Sequence, residues 1–529
     1  MRIRADRPAS AADRDATYDA ILVGTGLGCL AAAIGLAAAG LRPLLLERAA
    51  LVGGASAWSG GVVWAPANHR MRAKGLADSA GEALEYLRRV SDGRGDAELA
   101  AAYVQRLPAI LRWLERETEL AWMSYPRLPD YFEIPGAKPD GRCLLPQPRV
   151  VSAALEAAAR RVSELLLVRP SVHFPAQEHA WAGGRGLVGS LWLRVLQDAT
   201  PYELDTRARA LLTEDGSVAG VEVEGPGGRR RLRARHGVLL GTGGFEWNAR
   251  MTRAAVPAPA PHPQTPVGAT GDGQRMAAAL GAGLALMDQT IWTPGVCVPG
   301  ERDGDHPLCR LCFQELSRSH CIVVNRAGRR FADETFFQDL ARGWCTFDAS
   351  TASHPNLPMH LVFDERHRER HGLPASVPVG DYLTRHPSLT ALAAANGIDP
   401  AGLEATVRRF NADVAHGRDR EFGRGEGAYR RAFAGPASGG ANPTLGAISE
   451  PPFYCMELFP GTSGHRGGVV CDPSARVLDV DGAPIDGLYA CGATAAGLVT
   501  GGAYLTGTSL GQALVSGMAA AEAIGARSS

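Results

Sequence analysis

Lysine is almost missing from this chain. Only Lys74 and Lys138 occur, neither in a phosphate-binding loop nor in a setting that suits a Schiff base, so arginine carries the positive charge. Basic and acidic residues balance at 55 each. That removes the basic surplus a nucleic-acid binder needs to neutralise phosphates. Long apolar runs are also missing. Gly40, Arg42 and Pro43 break the best candidate for a membrane span, and Met1 to Asp15 has no apolar signal core. The ten cysteines show no small-domain disulfide spacing, which points to a reducing compartment. The expectation is a soluble, cytoplasmic protein with a disordered tail over 1–16, no transmembrane segment and no nucleic-acid partner.

What is abundant is glycine, 64 of 529 residues, about 12% against a usual ~7%. There is no Gly-X-Y period, and many glycines stand in pairs beside apolar runs, as backbone does when it must approach a bulky ligand. Hydrophobic residues at 45% and charged residues at 21% are ordinary for a folded chain. The length suits two or three domains.

The first chemical signal lies near the start. Tyr18 to Val23 reads as a strand, Cys29 to Ala39 as a helix stopped by Gly40, and Arg42 to Leu46 as a second strand closed by Glu47. This is a βαβ unit. Gly24-Thr25-Gly26-Leu27-Gly28-Cys29 joins strand to helix. Such a turn brings backbone close to a pyrophosphate and aims a helix N-terminus at it. Glu47 can take both ribose hydroxyls and disfavours a 2′-phosphate, so the ligand is FAD- or NAD-like. Cys29 replaces the third glycine of the usual pattern and is read as a small packing residue. A second cluster, Gly53 to Gly61, follows at once, which a flat isoalloxazine ring requires and a nicotinamide does not. Gly487 to Gly492 reads as a strand entering a turn, and Gly501 to Gly511 opens the last helix, Ser509 to Ile524. That helix start can stabilise negative charge on a reduced flavin or a developing enolate. The expected cofactor contacts are Gly24, Gly26, Gly28, Glu47, Arg48, Gly54, Ala55, Ser56, Ser59, Gly60, Gly61, Thr242, Gly243, Gly492, Ser509 and Leu510, with no metal.

Elsewhere the pattern predicts a helix over 96–117 containing Pro108, a long Pro-rich loop over 123–150 and a helix over 151–167. Paired strands are expected over 204–222 and 230–240. Five prolines between Ala254 and Thr270 mark a crossing between domains. Residues 286–449 are richer in Cys, His and Phe, with a short strand at Met359 to Phe363.

These segments resemble the flavoproteins that include succinate dehydrogenase, fumarate reductase and the 3-ketosteroid dehydrogenases. The resemblance to the ketosteroid branch rests on Ser59 to Asn68, on Pro129-Asp130-Tyr131 with Pro135-Gly136 and Gly141-Arg142, and on Gly243 to Asn248. Gly271-Asp272-Gly273 and Gly328 to Glu334 resemble the wider family. The resemblance implies an α/β fold. A Rossmann-like FAD-binding domain would form from 17–285 and 450–529, with an inserted α+β cap over 286–449. The covalent-flavin histidine of the succinate enzymes falls at Gly54, so non-covalent FAD is implied. By motif register a substrate-clamping arginine of fumarate reductases falls at Tyr504, the proton-delivering one at Gln338, and a histidine at Gly464. A site without those charges suits a ketone better than a dianion.

The implied chemistry is desaturation of a cyclic ketone, most simply a 3-oxosteroid, in the 1,2 or 4,5 position. The resemblance assigns carbonyl polarisation to Tyr504 and the Gly507 N–H. The tyrosine that follows the Asp-Glu motif in 1,2-desaturases is absent from Asp333 to Gln338. The spacing of Tyr504, Thr506 and Gly507 resembles the 4,5 branch instead. Thr506 is read as a proton relay and Tyr131, or else Tyr125, as the base. Phe336, Phe337, Trp292 and Phe313 are expected to line an apolar pocket. Alternatives are a fumarate-reductase-like reductase of a small unsaturated acid and an inert FAD-binding protein. No motif names the electron acceptor. Cys309 and Cys312, with Cys297 and Cys321 near them, do not make a regular metal pattern. His367 and His371 are read as part of a solvated, charged helix.

Overall fold

The computed structural model describes residues 17–147, 149–150, 168, 180–257, 259, 261–373, 382–435 and 441–528. The expected tail over 1–16 and the expected helix over 151–167 lie outside the described residues.

Strand β1 (Ala20–Val23), helix α1 (Leu27–Ala38) and strand β2 (Pro43–Leu46) form the expected βαβ unit. Every residue of both strands is buried, because a parallel strand covered on both faces must be apolar throughout. The sheet has six strands in the order 476–478, 484–490, 238–240, β1, β2, 202–203. Its members thus come from both ends of the chain. The expected strand over 204–222 is two strands, Arg207–Glu214 and Ser217–Gly225, paired antiparallel. Asp215 and Gly216 both have positive φ, the turn geometry that matches strand twist in a tight hairpin.

The stretch expected as loop over 123–150 is corrected in part. Trp122–Ser124 and Cys143–Pro146 are strands of a three-stranded sheet that includes Val63–Trp64. The prolines belong mainly to the connection between them, which carries Tyr131. Pro108 sits inside a 21-residue helix, Ala97–Glu117.

A seven-stranded sheet takes five of its strands from the stretch expected as the cap. Its hairpin is β3 (Thr290–Asp303) and β4 (His306–Leu311), and its long strand is β5 (Phe453–His465). β5 pairs with β3 on one side and with Met359–Phe363 on the other. The cap sheet therefore takes a central strand from beyond residue 449. His262–Pro263, inside the proline-rich stretch, also pairs with β5. Composition follows changes of texture along the chain, and hydrogen bonding across a sheet does not.

A buried ion cluster holds the cap together. Glu334 accepts from Arg330 Nε (2.7 Å) and Nη2 (2.8 Å), from Arg424 Nη1 (3.0 Å) and from Val323 N (3.2 Å). Asp419 takes the other side of Arg330 at 2.9 Å. Burial pushes Glu334 up, and the two guanidiniums outweigh it, leaving the carboxyl below its ordinary value.

The last helix, α2 (Thr508–Ala526), lies against α1. A Cβ on Gly517 would fall 2.2 Å from the carbonyl oxygen of Gly28, and one on Gly28 would fall 2.8 Å from that of Ala513. The two backbones touch, and only glycine permits it.

Two outcomes follow. Gly517→Ala costs roughly 1–3 kcal/mol by overpacking, read as a lower denaturation midpoint. Gly525→Ala, where nothing lies within 4 Å of the added carbon, is neutral or gains up to about 1 kcal/mol from helix propensity. The depressed Glu334 contributes its full stability above the unfolded glutamate value of about 4.3. That contribution is lost as pH falls through the lower folded value, so the denaturant midpoint drops below about pH 4.

Candidate active site

A cavity of about 710 Å³ runs between the sheet and the cap. All sixteen residues expected to hold the dinucleotide line it, and so do Tyr131, Tyr504, Thr506 and Gly507.

One half has dinucleotide chemistry. β1 ends at Gly24, whose φ of +113 lies in the region that suits glycine, and a Cβ there would sit 2.2 Å from the Gly241 oxygen. The N-cap of α1, Gly26, has no side chain to cap it and the first turn carries no acid; Ser56 Oγ accepts from Leu27 N–H at 3.2 Å, and the positive end of the helix faces the cavity. Glu47 is oriented by Thr25, whose N–H (3.2 Å) and hydroxyl (2.6 Å) donate to Oε2, and by Ala49 N–H at Oε1 (3.0 Å). Arg48 donates to Gly268 O (3.0 Å) and Thr270 Oγ1 (2.8 Å). The glycine-pair reading needs one correction. Gly54 has open space where a Cβ would stand, but a Cβ on Gly61 would fall 2.3 Å from the carbonyl carbon of Gly183. Gly61 is needed for a chain contact as well as for room. Cys29 is buried, 3.9 Å from Cys491 Sγ, and that contact together with burial pushes its thiol up. This fits a packing role. A helix start that faces the cavity, an oriented acid at the end of β2 and open backbone at Gly54 suit FAD.

The other half brings phenols together. Tyr504 is half-buried in the cavity wall, and no described residue hydrogen-bonds its hydroxyl. Burial pushes its phenol up to about 12, partly offset by Arg466. It is therefore a neutral donor at working pH. Gln338 Nε2 donates to the Tyr504 carbonyl at 2.8 Å, which brings these two register positions together without a charge. Gly507 caps α2, and no described residue accepts from its N–H. The Tyr131 hydroxyl makes a short hydrogen bond with Thr506 Oγ1. Burial raises Tyr131 well above its ordinary value. Phe313 and Phe337 line the cavity with Tyr125. Phe336 and Trp292 do not. Phe336 packs behind Tyr131 at 5.7 Å, and Trp292 packs on Trp344 at 6.0 Å in the cap core.

Three further residues reach the site without having been expected there. Tyr429, on the short helix Ala428–Arg431, packs on Tyr131 with ring centroids 4.1 Å apart and the rings tilted by 47°. No local pattern marks it. Glu246 lines the cavity, and burial raises its carboxyl, with Thr265 Oγ1 donating to Oε1 at 2.8 Å. Arg466 also lines the cavity. Its Nε donates to Gly501 O at 3.0 Å and its Nη2 to Gly497 O and Thr500 Oγ1. No carboxylate pairs with it among the described residues, and burial lowers its guanidinium to about 10. The family's arginine positions are indeed empty of charge, but a different arginine arrives from beside the Gly467-Gly468 pair. Its place next to that pair was a usable signal.

The histidine helix also differs from expectation. His367 is 1% exposed and its Nδ1 lies 2.7 Å from Ser319 O. The helix Glu365–His371 is charged outside, but its first histidine turns inward against Phe363. No helix among the described residues is long and apolar enough to cross a membrane.

The family described as FAD binding domain matches residues 19–510. A 4-oxocyclohexanecarboxylate 2-dehydrogenase of Sinomonas cyclohexanicum is 36% identical over 504 residues, covering 90% of this chain and 87% of that protein. A 3-oxosteroid 1-dehydrogenase of Mycobacterium tuberculosis is 33% identical over 532 residues, covering 90% and 93%. The crystal structure of a 3-ketosteroid Δ1-dehydrogenase from Sterolibacterium denitrificans, in complex with 1,4-androstadiene-3,17-dione, aligns with a TM-score of 0.84. It is 32% identical, and the alignment covers 97% of this chain and all of that one. With the cavity built as described, these matches mean that the chain belongs to the FAD binding domain family and, within it, to the FAD-dependent dehydrogenases acting on ring CH–CH bonds that include the 3-ketosteroid dehydrogenases.

Proposed function

We propose that this protein desaturates a six-membered ring ketone beside its carbonyl, with a 3-oxosteroid as substrate. A proton leaves the carbon α to the ketone, a hydride leaves the β carbon, and a C=C bond forms. Bound FAD supplies the hydride acceptor. The observation that carries the reading is the free Tyr504 hydroxyl in the cavity wall, with the Gly507 N–H at the start of α2. Two donors of this kind hold a carbonyl oxygen as enolate charge develops, which makes the α proton acidic enough to leave.

Tyr131 receives that proton. It is protonated at neutral pH, so it accepts one only while its own passes to Thr506 through their hydrogen bond and the Thr506 proton passes on to water in the cavity, leaving both hydroxyls neutral. Tyr429, packed at a tilt against Tyr131, holds the ring in place. The aromatic wall of Phe313, Phe337 and Phe433 suits an apolar, polycyclic body. The names of the relatives support a ring ketone, since both specify an oxo group on a ring. All ten cysteines are free thiols, which supports a reducing compartment such as the cytoplasm.

Arg466 favours a second reading, a small ring ketone bearing one carboxylate. A buried guanidinium without a carboxylate partner is stabilised by an anion brought in by a ligand, and one relative is named for a 4-oxocyclohexanecarboxylate.

Anaerobic mixing of the FAD-loaded protein with 3-oxosteroids, 4-oxocyclohexanecarboxylate and succinate tests both readings. Loss of flavin absorbance with 3-oxosteroids is expected, and product analysis separates 1,2 from 4,5 desaturation. No bleaching with any cyclic ketone would mean that FAD is kept as structure. Tyr504→Phe is expected to retain FAD and lose about 10²–10³ in turnover, the usual loss for one oxyanion donor. Unchanged turnover would remove Tyr504 from the chemistry. Under the second reading, Arg466→Met raises KM for the oxo acid about tenfold or more, the worth of a charged hydrogen bond, with little change for a neutral ketone.

A further inference from the structure

The cap hairpin holds a thiol pair that the desaturation does not use. β3 and β4 run antiparallel with Cys297 directly opposite Cys309. The ladder fixes the kind of pair. Cys312 N–H donates to Pro294 O at 3.0 Å, which makes 294 and 312 a hydrogen-bonded pair. Alternation along the ladder then places 297 and 309 in the non-hydrogen-bonded class, where facing Cα atoms are about 4.5 Å apart and side chains are nearest. A disulfide spans Cα separations of roughly 4.4–6.8 Å.

The two thiols differ in character. Cys309 is 2% exposed, whereas Cys297 is partly open to solvent. His262 Nδ1 lies 3.7 Å from Cys297 Sγ. The contact with Cys309, and then His262, lowers the Cys297 thiol to about 6 against the effect of burial. Cys309 is pushed well up by the same contact. The remaining charged neighbour is Glu457 on β5. One sulfur is thus an accessible thiolate beside an imidazole, and the other is a protonated partner across the ladder. This asymmetry suits an attacking and a resolving cysteine.

We propose that Cys297 and Cys309 form a modification site, a dithiol that hydroperoxides oxidise to a disulfide across the cap hairpin. The Cys297 thiolate attacks the peroxide O–O bond, which breaks. Sulfur takes one oxygen as a sulfenic acid, and the other oxygen leaves with a proton as water or alcohol. The Cys309 sulfur then attacks the Cys297 sulfur, its proton goes to the departing hydroxyl as water, and the S–S bond forms. Two thiols lose two electrons and the peroxide gains them. The pair is coupled to the catalytic cavity through Gln264. Its Nε2 lies 3.8 Å from Cys309 Sγ, its Oε1 accepts from Thr293, and both Gln264 and Thr293 line the cavity wall.

The test treats the FAD-loaded protein with a small excess of hydrogen peroxide, then alkylates free thiols and maps peptides by mass. A 297–309 linked peptide, lighter by two hydrogens and restored by dithiothreitol, is expected, with Cys312 still alkylated. Cys309→Ser should halt the reaction at a sulfenic acid on Cys297 that a dimedone probe labels. His262→Gln should slow the wild-type reaction several-fold at pH 7. Full alkylation of both cysteines after peroxide would overturn the proposal, as would a bridge to a different cysteine or over-oxidation of Cys297 without a link.

Discussion

The contact between the backbones of α1 and α2 is the constraint on which the rest of the molecule turns. Gly28 and Gly517 let the first and last helices touch. A sheet assembled from both ends of the chain can then close around one cavity. The same contact brings two helix starts to that cavity, Gly26 at α1 and Gly507 at α2. Each start carries about half a positive charge. One faces the phosphate side of the dinucleotide site, and the other faces the side where Tyr504 waits for an oxygen.

The cap serves that cavity by a different kind of force. Arg330, Arg424, Glu334 and Asp419 form a buried, mutually compensated cluster. Such a cluster is costly to desolvate, and its members depend on one another. It anchors the segment that follows Glu334, and the next turn delivers Phe337 to the cavity and Gln338 to the Tyr504 carbonyl. The Asp-Glu motif is therefore an anchor in this chain. The phenol absent from the segment after it is not replaced nearby in sequence. Tyr131 and Tyr429, from a Pro-rich connection and a four-residue helix, meet one another at the cavity wall.

The reading of the reaction rests on neutral donors, yet the wall is not uncharged. Arg466 sits beside the turn that carries Tyr504. One buried guanidinium, Arg466, lines the cavity. That charge is what makes a neutral ring ketone and a ring ketone bearing one carboxylate experimentally distinct.

The amino-acid sequence by itself determined the local pieces of the dinucleotide site. The all-apolar β1 and β2, the glycine turn at Gly24 and the acid at Glu47 are readable because neighbours in sequence make the contacts. The last helix and the short strand Met359–Phe363 were legible for the same reason, an unbroken local pattern. Tertiary structure alone decided the partners that lie far apart. It put β5 in the cap sheet, turned His367 inward, split 123–150 into three strands with a long connection between the first two, and set Tyr429 against Tyr131. It also paired Cys297 with Cys309 and brought Arg466 to the cavity. Each of these depends on which surfaces meet across the fold, and hydrophobic periodicity carries no record of that.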